Sequence, residues 1–306
     1  MLIFPRKAKR LMRSSDVTSK QRELIRELEE TGTFRVLRSI TIPSPQPGTL
    51  REGERLAIVL DTETTGLDLR DDEIVEIGLI AFAYDETDQF TRVVGVFQGL
   101  REPENPMSEE ASNITGITTD MLKGKKIDLA RLEEVVSRAS LVIAHNAAFD
   151  RPMCEKLSPV FKDKAWACSA TEIPWRMLGY EGAKLGYLLY QSGLFHEGHR
   201  ALEDCYALLN VLSVQQKKTD KCGLQLLLAS ARATRVIIEV SSPYEFRAFF
   251  KSRGYRWRSH PARCWHKDVP ESFFDTEIRE IGQLNSPEIS TVTRRETAFE
   301  RFKGGL

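Results

Sequence analysis

The sequence of 306 residues has little cysteine, no long apolar run and no net charge. Its five cysteines form no C-x-x-C pair and their number is odd, which predicts reduced thiols rather than a set of disulfides. No apolar stretch approaches the ~18 residues of a membrane-spanning helix, so no membrane partner is expected. The apolar start "MLIF" is too short for the core of a secretory signal. These absences predict a cytoplasmic protein.

The neutral total conceals a segregation of charge along the chain. Residues 1–55 carry 12 Lys/Arg against 7 Asp/Glu, net +5. Residues 56–215 carry 15 against 26, net −11, and residues 216–306 carry 17 against 11, net +6. This pattern indicates a cation-binding centre between arms that meet an anionic partner. Chance drift of charge between modules would give the same pattern.

The order of helical and strand-like patterns divides the chain into segments. The main domain has three strand-like runs followed by alternating helices and strands, which predicts a mixed α/β sheet flanked by helices. A capping box of Thr18 and Gln21 predicts a helix in the segment before it. The predicted segments are a helical N-terminal extension with a Pro-rich linker (1–55), the α/β domain (56–215), a helical connector (216–233), a small α+β module (234–284) and a polar tail (285–306).

The stretch "VLDTETTGLD" places Asp61 and Glu63 two positions apart at the end of an apolar strand. Alternate residues of a strand point to the same face, so the two carboxylates are expected to project together. Like charges repel, and a hard divalent cation such as Mg²⁺ would compensate them. A solvated acidic turn would show the same pattern, so the pair alone leaves both interpretations open.

Two later segments add to this pair. "IAHNAAFDRP" leads from a second apolar strand into a helix and carries Asp150. "GHRALEDCYALL" carries His199 and Asp204 five residues apart, which is about 140° on a helix. The two side chains cannot face one point from a continuous helix, so His199 is predicted in the loop before it.

The segments "DTETTG", "HNAAFD" and "HRALED", in this order, resemble the three motifs of the DEDDh (DnaQ-like) 3′–5′ exonucleases. This family includes exonuclease X and the proofreading subunit of the bacterial replicative DNA polymerase. The resemblance covers about residues 56–215 and implies a ribonuclease H-like fold. It also implies two bound Mg²⁺ or Mn²⁺ ions and a histidine general base. The catalytic residues it implies are Asp61, Glu63, Asp150 and Asp204 as metal ligands and His199 as the base.

The residues around these motifs are predicted to contact the 3′-terminal nucleotide. Gly66 would let the backbone approach the nucleotide, and Leu67 would wedge against its base. A plain turn with a core leucine is the alternative, and Phe149 is equally expected in the core. The predicted substrate-binding residues are Thr64, Thr65, Gly66, Leu67, Asn146 and Phe149.

The stretch from residue 251 to 267, "KSRGYRWRSHPARCWHK", interleaves basic and aromatic residues. Aromatic platforms with basic surroundings favour binding of single-stranded nucleic acid. A half-buried strand with a charged outer face is the alternative. The candidate residues for accessory nucleic-acid binding are Arg253, Tyr255, Arg256, Trp257 and Trp265.

The sequence therefore predicts a metal-dependent 3′–5′ exonuclease that releases nucleoside 5′-monophosphates, with DNA as the favoured substrate. The predicted partners are single-stranded 3′ ends and a polymerase or repair protein. One alternative is an exoribonuclease acting on RNA ends or short oligonucleotides, because the carboxylate chemistry does not depend on the 2′-hydroxyl. The other is a polymerase-associated interaction protein with secondary nuclease activity.

Overall fold

The structure is a computed structural model that describes residues 18–259 and 262–303. Its secondary structure follows the alternation of strand and helix patterns in the sequence. The helices are α1 (Ser19–Glu30), α2 (Glu109–Thr115), α3 (Thr119–Leu122), α4 (Leu129–Arg138), α5 (Ala147–Leu157), α6 (Ser169–Glu172), α7 (Trp175–Leu178), α8 (Leu185–Gln191), α9 (Ala201–Ser213), α10 (Gly223–Arg232), α11 (Arg247–Ser252) and α12 (Glu271–Gly282). The strands are β1 (Arg38–Ser39), β2 (Arg55–Thr64), β3 (Ile74–Tyr84), β4 (Phe90–Leu100), β5 (Leu141–Ala144), β6 (Trp166–Cys168), β7 (Leu194–Phe195), β8 (Arg235–Ser241), β9 (Arg256–Arg258), β10 (Cys264–Pro270) and β11 (Ser290–Glu296).

The central sheet has the strand order β4-β3-β2-β5-β6. The first three of these strands in the chain pair antiparallel, whereas β5 and β6 add in parallel after helical crossovers. Every residue of β3 is buried, as expected for a strand covered on both faces. The sheet is mixed and flanked by helices, which confirms the predicted fold class.

Helix α9 lies directly on the middle of β3. A Cβ atom added to Gly78 would lie 2.4 Å from the backbone nitrogen of Leu202, so only glycine allows this approach. The opposite face of β2 presents Leu56, Ile58 and Leu60 to the main hydrophobic core. The two faces of β2 therefore serve different layers, with α9 on one and the main core on the other.

The segment before β2 is more integrated than the sequence predicted. Helix α1 begins at the predicted capping box but has no buried residue. Strand β1 pairs in parallel with β7, and Ile40 is buried. Arg92 binds the carbonyls of Gln46 and Thr49 and the carboxylate of Glu54. The Pro-rich stretch is therefore attached to the domain through its backbone carbonyls, which accept hydrogen bonds from Arg92. Residues 1–17 lie outside the described residues.

Ala229–Arg301 form a second compact unit, and the rest of the described chain forms the first. Its sheet has the order β11-β8-β10-β9, all antiparallel, with a core of its own that includes Phe250 and Trp265. The prediction of a loose polar tail from residue 285 is wrong for Ser290–Glu296, which pairs along the whole of β8. Its side chains are mostly exposed, and it has no apolar pattern that would predict a strand. Its backbone bonds to β8 hold it at the sheet edge, together with Arg295, which contacts the Glu271 carboxylate and the Phe274 ring.

None of the helices in residues 18–259 and 262–303 combines the length and apolar character needed to cross a membrane.

Candidate active site

Three carboxylates converge where β2 meets the first turn of α9. Asp61 and Glu63 project from the same face of β2, as their spacing predicted, and lie opposite Gly78 and Glu76 of β3. Asp204 comes from the first turn of α9. Asp61, Glu63 and Asp204 each offer a carboxylate oxygen within 4.8 Å of the others, and all three residues are half-buried. Three oxygen donors at this separation fit the preference of a hard divalent cation.

Asp150 approaches the same strand end from the other side. Thr62 lies between the two carboxylates of β2 and points to the opposite face, where its hydroxyl donates to Asp150 Oδ1 at 2.8 Å. Asp150 lies in the first turn of α5 and is 3% exposed. The structure therefore brings all four predicted acidic residues to one strand end, with three in a tight group and Asp150 behind them.

The electrostatics of the group are unfavourable without a cation. Desolvation raises the pKa of Asp61 well above its usual range, and the charges of Asp150, Asp204 and Glu63 raise it further. Desolvation, followed by the charge of Asp204, raises the pKa of Glu63 to about 8. Burial raises the pKa of Asp150 to about 7 against the hydrogen bond from Thr62. Such a site favours either protons or metal ions, since both remove the repulsion.

His199 lies in the loop before α9, as predicted. It is exposed and has a φ of 63°, an uncommon backbone conformation for a non-glycine residue, next to Gly198 with a φ of 38°. The carboxylate of Asp204 instead accepts a hydrogen bond from a different histidine. His196 Nε2 lies 2.7 Å from Asp204 Oδ1, and the backbone amide of Arg200 donates to Oδ2. Sequence reasoning gave His196 no role, because an eight-residue spacing that crosses a loop has no recognisable period.

Glu76 and Arg200 form a second feature that sequence reasoning missed. Glu76 is fully buried and accepts bonds from Arg200 Nε and Nη2, from the Ala201 amide and from Gln98 Nε2. This ion pair fixes the chain immediately after His199 to β3. A glutamate inside the otherwise apolar run "IVEIGLIAFAY" was the available signal, since a buried charge requires a partner.

The predicted contacts to a terminal nucleotide differ in exposure. Thr64 and Thr65 are buried, and the Thr65 hydroxyl donates to Asp72 Oδ1 at 2.6 Å. Gly66 lies against the same carboxylate, because a Cβ atom there would be 2.5 Å from Asp72 Oδ2. Leu67 is 85% exposed, so the alternative of a core leucine is wrong. The Asp72 carboxylate therefore holds the turn in place, while the Leu67 side chain projects into solvent.

The other two predicted substrate residues flank the start of α5. Asn146 is exposed at the N-cap position and makes no side-chain cap bond. Phe149 is half-buried and packs against the main core. Between the strand and this helix, His145 contacts the Ser169 hydroxyl and the Ala183 carbonyl, which ties the motif to the neighbouring loop.

The proposed aromatic platform of the C-terminal unit is largely core. Tyr255 is 3% exposed and Trp265 is 6% exposed, and both rings pack against Phe250. Their prediction as base-stacking residues is therefore wrong, because they belong to the only apolar layer that this small sheet has among the described residues. Arg253 forms ion pairs with Glu277 and Glu280 and is not free for phosphate. The exposed candidates that remain are Arg256 and Trp257, which is 50% exposed.

Comparison with known sequences identifies the family. The RNase_T model, described as exonuclease, matches residues 58–212, just over half of the chain. A PolC-type DNA polymerase III of Thermotoga maritima is 38% identical over 104 residues, which are 32% of this chain and 7% of that protein. The DNA polymerase III subunit epsilon of Treponema pallidum is 29% identical over 167 residues, 50% of this chain and 73% of that one. The chain thus spans less than a tenth of the first of these relatives, the PolC-type polymerase.

Two solved structures resemble the chain over about three-fifths of its length. Exonuclease X in complex with 5′ overhanging duplex DNA has a TM-score of 0.41 at 24% identity, covering 57% of this chain and 99% of that one. The zinc-bound E. coli ExoI–ssDNA complex has a TM-score of 0.48 at 16% identity, covering 61% and 48%. The span of the family model includes all five predicted catalytic residues. This chain belongs to the RNase_T exonuclease family, the DnaQ-like 3′–5′ exonucleases.

Proposed function

We propose that this protein is a divalent-metal-dependent 3′–5′ exonuclease that removes nucleoside 5′-monophosphates from the 3′ end of nucleic acid, with DNA favoured. The convergence of Asp61, Glu63 and Asp204 within 4.8 Å carries this proposal. These carboxylates lie at the end of the strand that carries the first family motif. DNA is favoured because the relatives named above are DNA polymerase III chains. The same names support a polymerase or repair protein as a partner.

The donor set supports a proposal for the metal ligands. Asp61, Glu63 and Asp204 would hold one ion, and Asp150 would help to hold a second. When bound, divalent ions supply neutralisation of the phosphate charge and a hydroxide nucleophile at neutral pH. The carboxyl hydrogen bonds keep two of these ligands oriented. Thr62 holds Asp150, and His196 holds Asp204.

His199 is the proposed acceptor of the proton from the attacking water. An imidazole titrates near neutral pH, which suits general-base work. The ring is exposed on a loop next to Gly198, whereas the following residue, Arg200, is fixed by Glu76. This arrangement lets the ring turn toward the bound substrate while the backbone behind it stays in place.

The turn after β2 is the proposed seat of the terminal nucleotide. Leu67, four residues after Glu63, presents an exposed apolar side chain and would wedge against the last base. The carboxylate of Asp72 holds Thr65 and the Asp68 amide, so the turn that carries Leu67 is braced. Asn146 and Phe149 would border the same pocket from α5.

The test compares labelled single strands of DNA and RNA of one sequence, incubated with Mg²⁺ or Mn²⁺ and with EDTA. We expect stepwise shortening from the 3′ end only with metal, and faster shortening of DNA. Hydrolysis in excess EDTA would contradict the metal-dependent mechanism, and faster cleavage of RNA would favour the exoribonuclease alternative. No cleavage of either strand would leave the interaction-protein alternative.

Two histidine variants test the general base. His199→Ala should lower kcat by about 10²–10⁴-fold and leave metal-induced thermal stabilisation unchanged. His196→Ala is the matched control from the same loop. It should weaken metal-induced stabilisation, since His196 contacts Asp204, with a smaller effect on kcat. The reverse result would assign the base to His196.

A further inference from the structure

A basic cleft opens beside Arg200, outside the carboxylate group. It has a volume of about 360 Å³ and lies entirely within the exonuclease unit. Its polar lining consists of Gln98, Lys125, Lys126, Asp128, Arg131 and Arg200. Four of these six residues carry positive charge, although the segment 56–215 as a whole has a net charge of −11.

The turn that carries the two lysines is fixed to the end of β4. Ile127 is buried and packs on Gly99, where an added Cβ would lie 3.1 Å from its side chain. Glu102 donates its backbone amide to the Lys125 carbonyl, and its carboxylate accepts from the Gly124 amide. The lysine side chains therefore project from an anchored turn, so binding costs little conformational entropy of the backbone.

The basic side chains of this cleft are available to an anion. Lys125, Lys126 and Arg131 are exposed, and within the described ranges none of them forms an ion pair. Asp128 is the acidic residue of the lining, and its carboxylate is occupied in capping α4 through the Arg131 amide. Arg200 is paired with Glu76, so the two lysines and Arg131 supply the uncompensated charge.

The sheet register gives the distance from the cleft to the carboxylates. Asp61 pairs with Gly78, which pairs with Gln98, so the three residues form one row across the sheet. Neighbouring strands are ~4.8 Å apart, which places Gln98 roughly 10 Å from Asp61. Gln98 and Arg200 also share the carboxylate of Glu76. The cleft is therefore within one or two nucleotides of the cleavage site.

We propose that this cleft binds backbone phosphates of the substrate strand on the 5′ side of the bond that is cleaved. The inference rests on the proposed exonuclease function and extends it to a site for the upstream strand. Ammonium and guanidinium groups without an exposed aromatic ring favour contacts to phosphate, which carry no sequence information. The cleft would hold the strand while its 3′ end lies at the carboxylates.

The test is the double variant Lys125→Ala/Lys126→Ala. Its matched control is Lys217→Ala/Lys218→Ala, a consecutive pair in the turn after α9 that does not line the cleft. Two substrates separate the roles. One is a single-stranded DNA of about twelve nucleotides. The other is the p-nitrophenyl ester of thymidine 5′-monophosphate, which has no upstream phosphate.

For the oligonucleotide, the cleft variant should raise KM roughly three- to tenfold at unchanged kcat, as expected when two exposed positive charges are removed. Its binding should also depend less on salt, with the slope of log K against log salt reduced by about 0.7 for each phosphate that the variant no longer neutralises. Turnover of the ester and the behaviour of the control pair should match the unmodified protein.

An unchanged KM and salt slope for the cleft variant, or an equal loss on the ester, would overturn the proposal. If the unmodified protein cleaves neither substrate, the proposed function fails instead. Binding of the oligonucleotide in EDTA, measured by fluorescence anisotropy, then decides the cleft independently. Equal affinity for the cleft variant and the control would refute it.

Discussion

Glu277 in the C-terminal unit and Asp61 in the exonuclease unit are both carboxylates withdrawn from water, and their neighbours carry opposite charges. Lys267 and Arg253 donate to Glu277 at 2.7 and 3.1 Å, and the Tyr255 hydroxyl adds a third contact. Burial alone would raise the pKa of Glu277, yet these hydrogen bonds bring it below its usual value. Basic residues of the same unit therefore compensate the negative charge of Glu277.

Asp61 faces other carboxylates instead. Its oxygen lies within 4.8 Å of those of Glu63 and Asp204, and its pKa is raised by desolvation and then by the charges of Asp150, Asp204 and Glu63. Arg200, which lies beside this group, is engaged by Glu76. Glu277 thus stabilises the fold through its own cationic neighbours, whereas Asp61 and its neighbouring carboxylates need a bound cation to offset their repulsion. Residue type and burial alone would not distinguish the two.

Charge-removing variants at the two positions should have opposite consequences. Asp61→Asn should lower the nuclease rate by about 10³-fold or more, because metal ligation supplies several kcal/mol to the transition state. In EDTA at pH 8 it should raise the free energy of unfolding of the exonuclease unit by about 1 kcal/mol, since a repelling charge is removed. Activity assays and hydrogen exchange of each unit measure both effects.

Glu277→Gln is the counterpart in the C-terminal unit. It leaves Lys267 and Arg253 without a full partner and should destabilise that unit by about 1–3 kcal/mol. Turnover of the p-nitrophenyl ester should not change. If Asp61→Asn destabilises its unit in EDTA as much as Glu277→Gln does, the contrast between the two carboxylates is wrong.

The pH dependence of stability should differ between metal-free and metal-loaded protein. Glu63 has a pKa of about 8 and Asp150 of about 7, both above their values in the unfolded chain. The folded carboxyls retain protons that the unfolded chain has released, so each step of pH between about 4 and 8 favours unfolding. In EDTA the melting temperature should therefore fall across this range. Saturating Mg²⁺ should flatten or reverse the fall, because metal replaces the protons.

A melting temperature in EDTA that rises between about pH 5 and about pH 8 would show that the carboxylates are compensated within the chain. Asp61→Asn offers an internal control for this measurement. Removal of one repelling charge should lower the pKa values of its neighbours and make the metal-free dependence on pH shallower.

Short-range patterns in the sequence correctly predicted how several residues of this site are arranged. Alternate residues of a strand face the same way, so Asp61 and Glu63 lie on one face of β2. The five-residue spacing between His199 and Asp204 requires His199 to precede α9. The partners of His196 and Glu76 could not be found this way, because Asp204 lies on a helix beyond a loop and Arg200 lies in a segment distant from Glu76 in the chain. Strand β11 has no apolar alternation, so its place at the sheet edge depends on backbone pairing that no side chain signals.

The aromatic strand of the C-terminal unit shows the limit of a composition argument. Tyr255, Trp257 and Trp265 look alike in a sequence in which basic residues surround all of them. Trp257 and Trp265 are direct partners between β9 and β10 and so share a face of the sheet. Trp265 lies on the inner strand β10 and is covered by the core, whereas Trp257 lies on the edge strand β9 and stays half exposed. Of these three, Trp257 alone keeps a ring that could meet a base.

A pair of tryptophan variants tests this division, and neither is expected to change the chemistry at the carboxylates. Trp265→Ala removes a ring stacked on Phe250 and should destabilise the C-terminal unit by about 3–5 kcal/mol. Trp257→Ala removes a ring that is 50% exposed and meets Trp265 edge-on at 5.3 Å. It should cost that unit only about 0.5–1.5 kcal/mol. If the exposed face stacks a base, affinity for single strands should fall by about 1–3 kcal/mol, with ester turnover unchanged. Unaltered strand affinity in a folded Trp257→Ala protein would remove the last aromatic residue of this stretch from nucleic-acid binding.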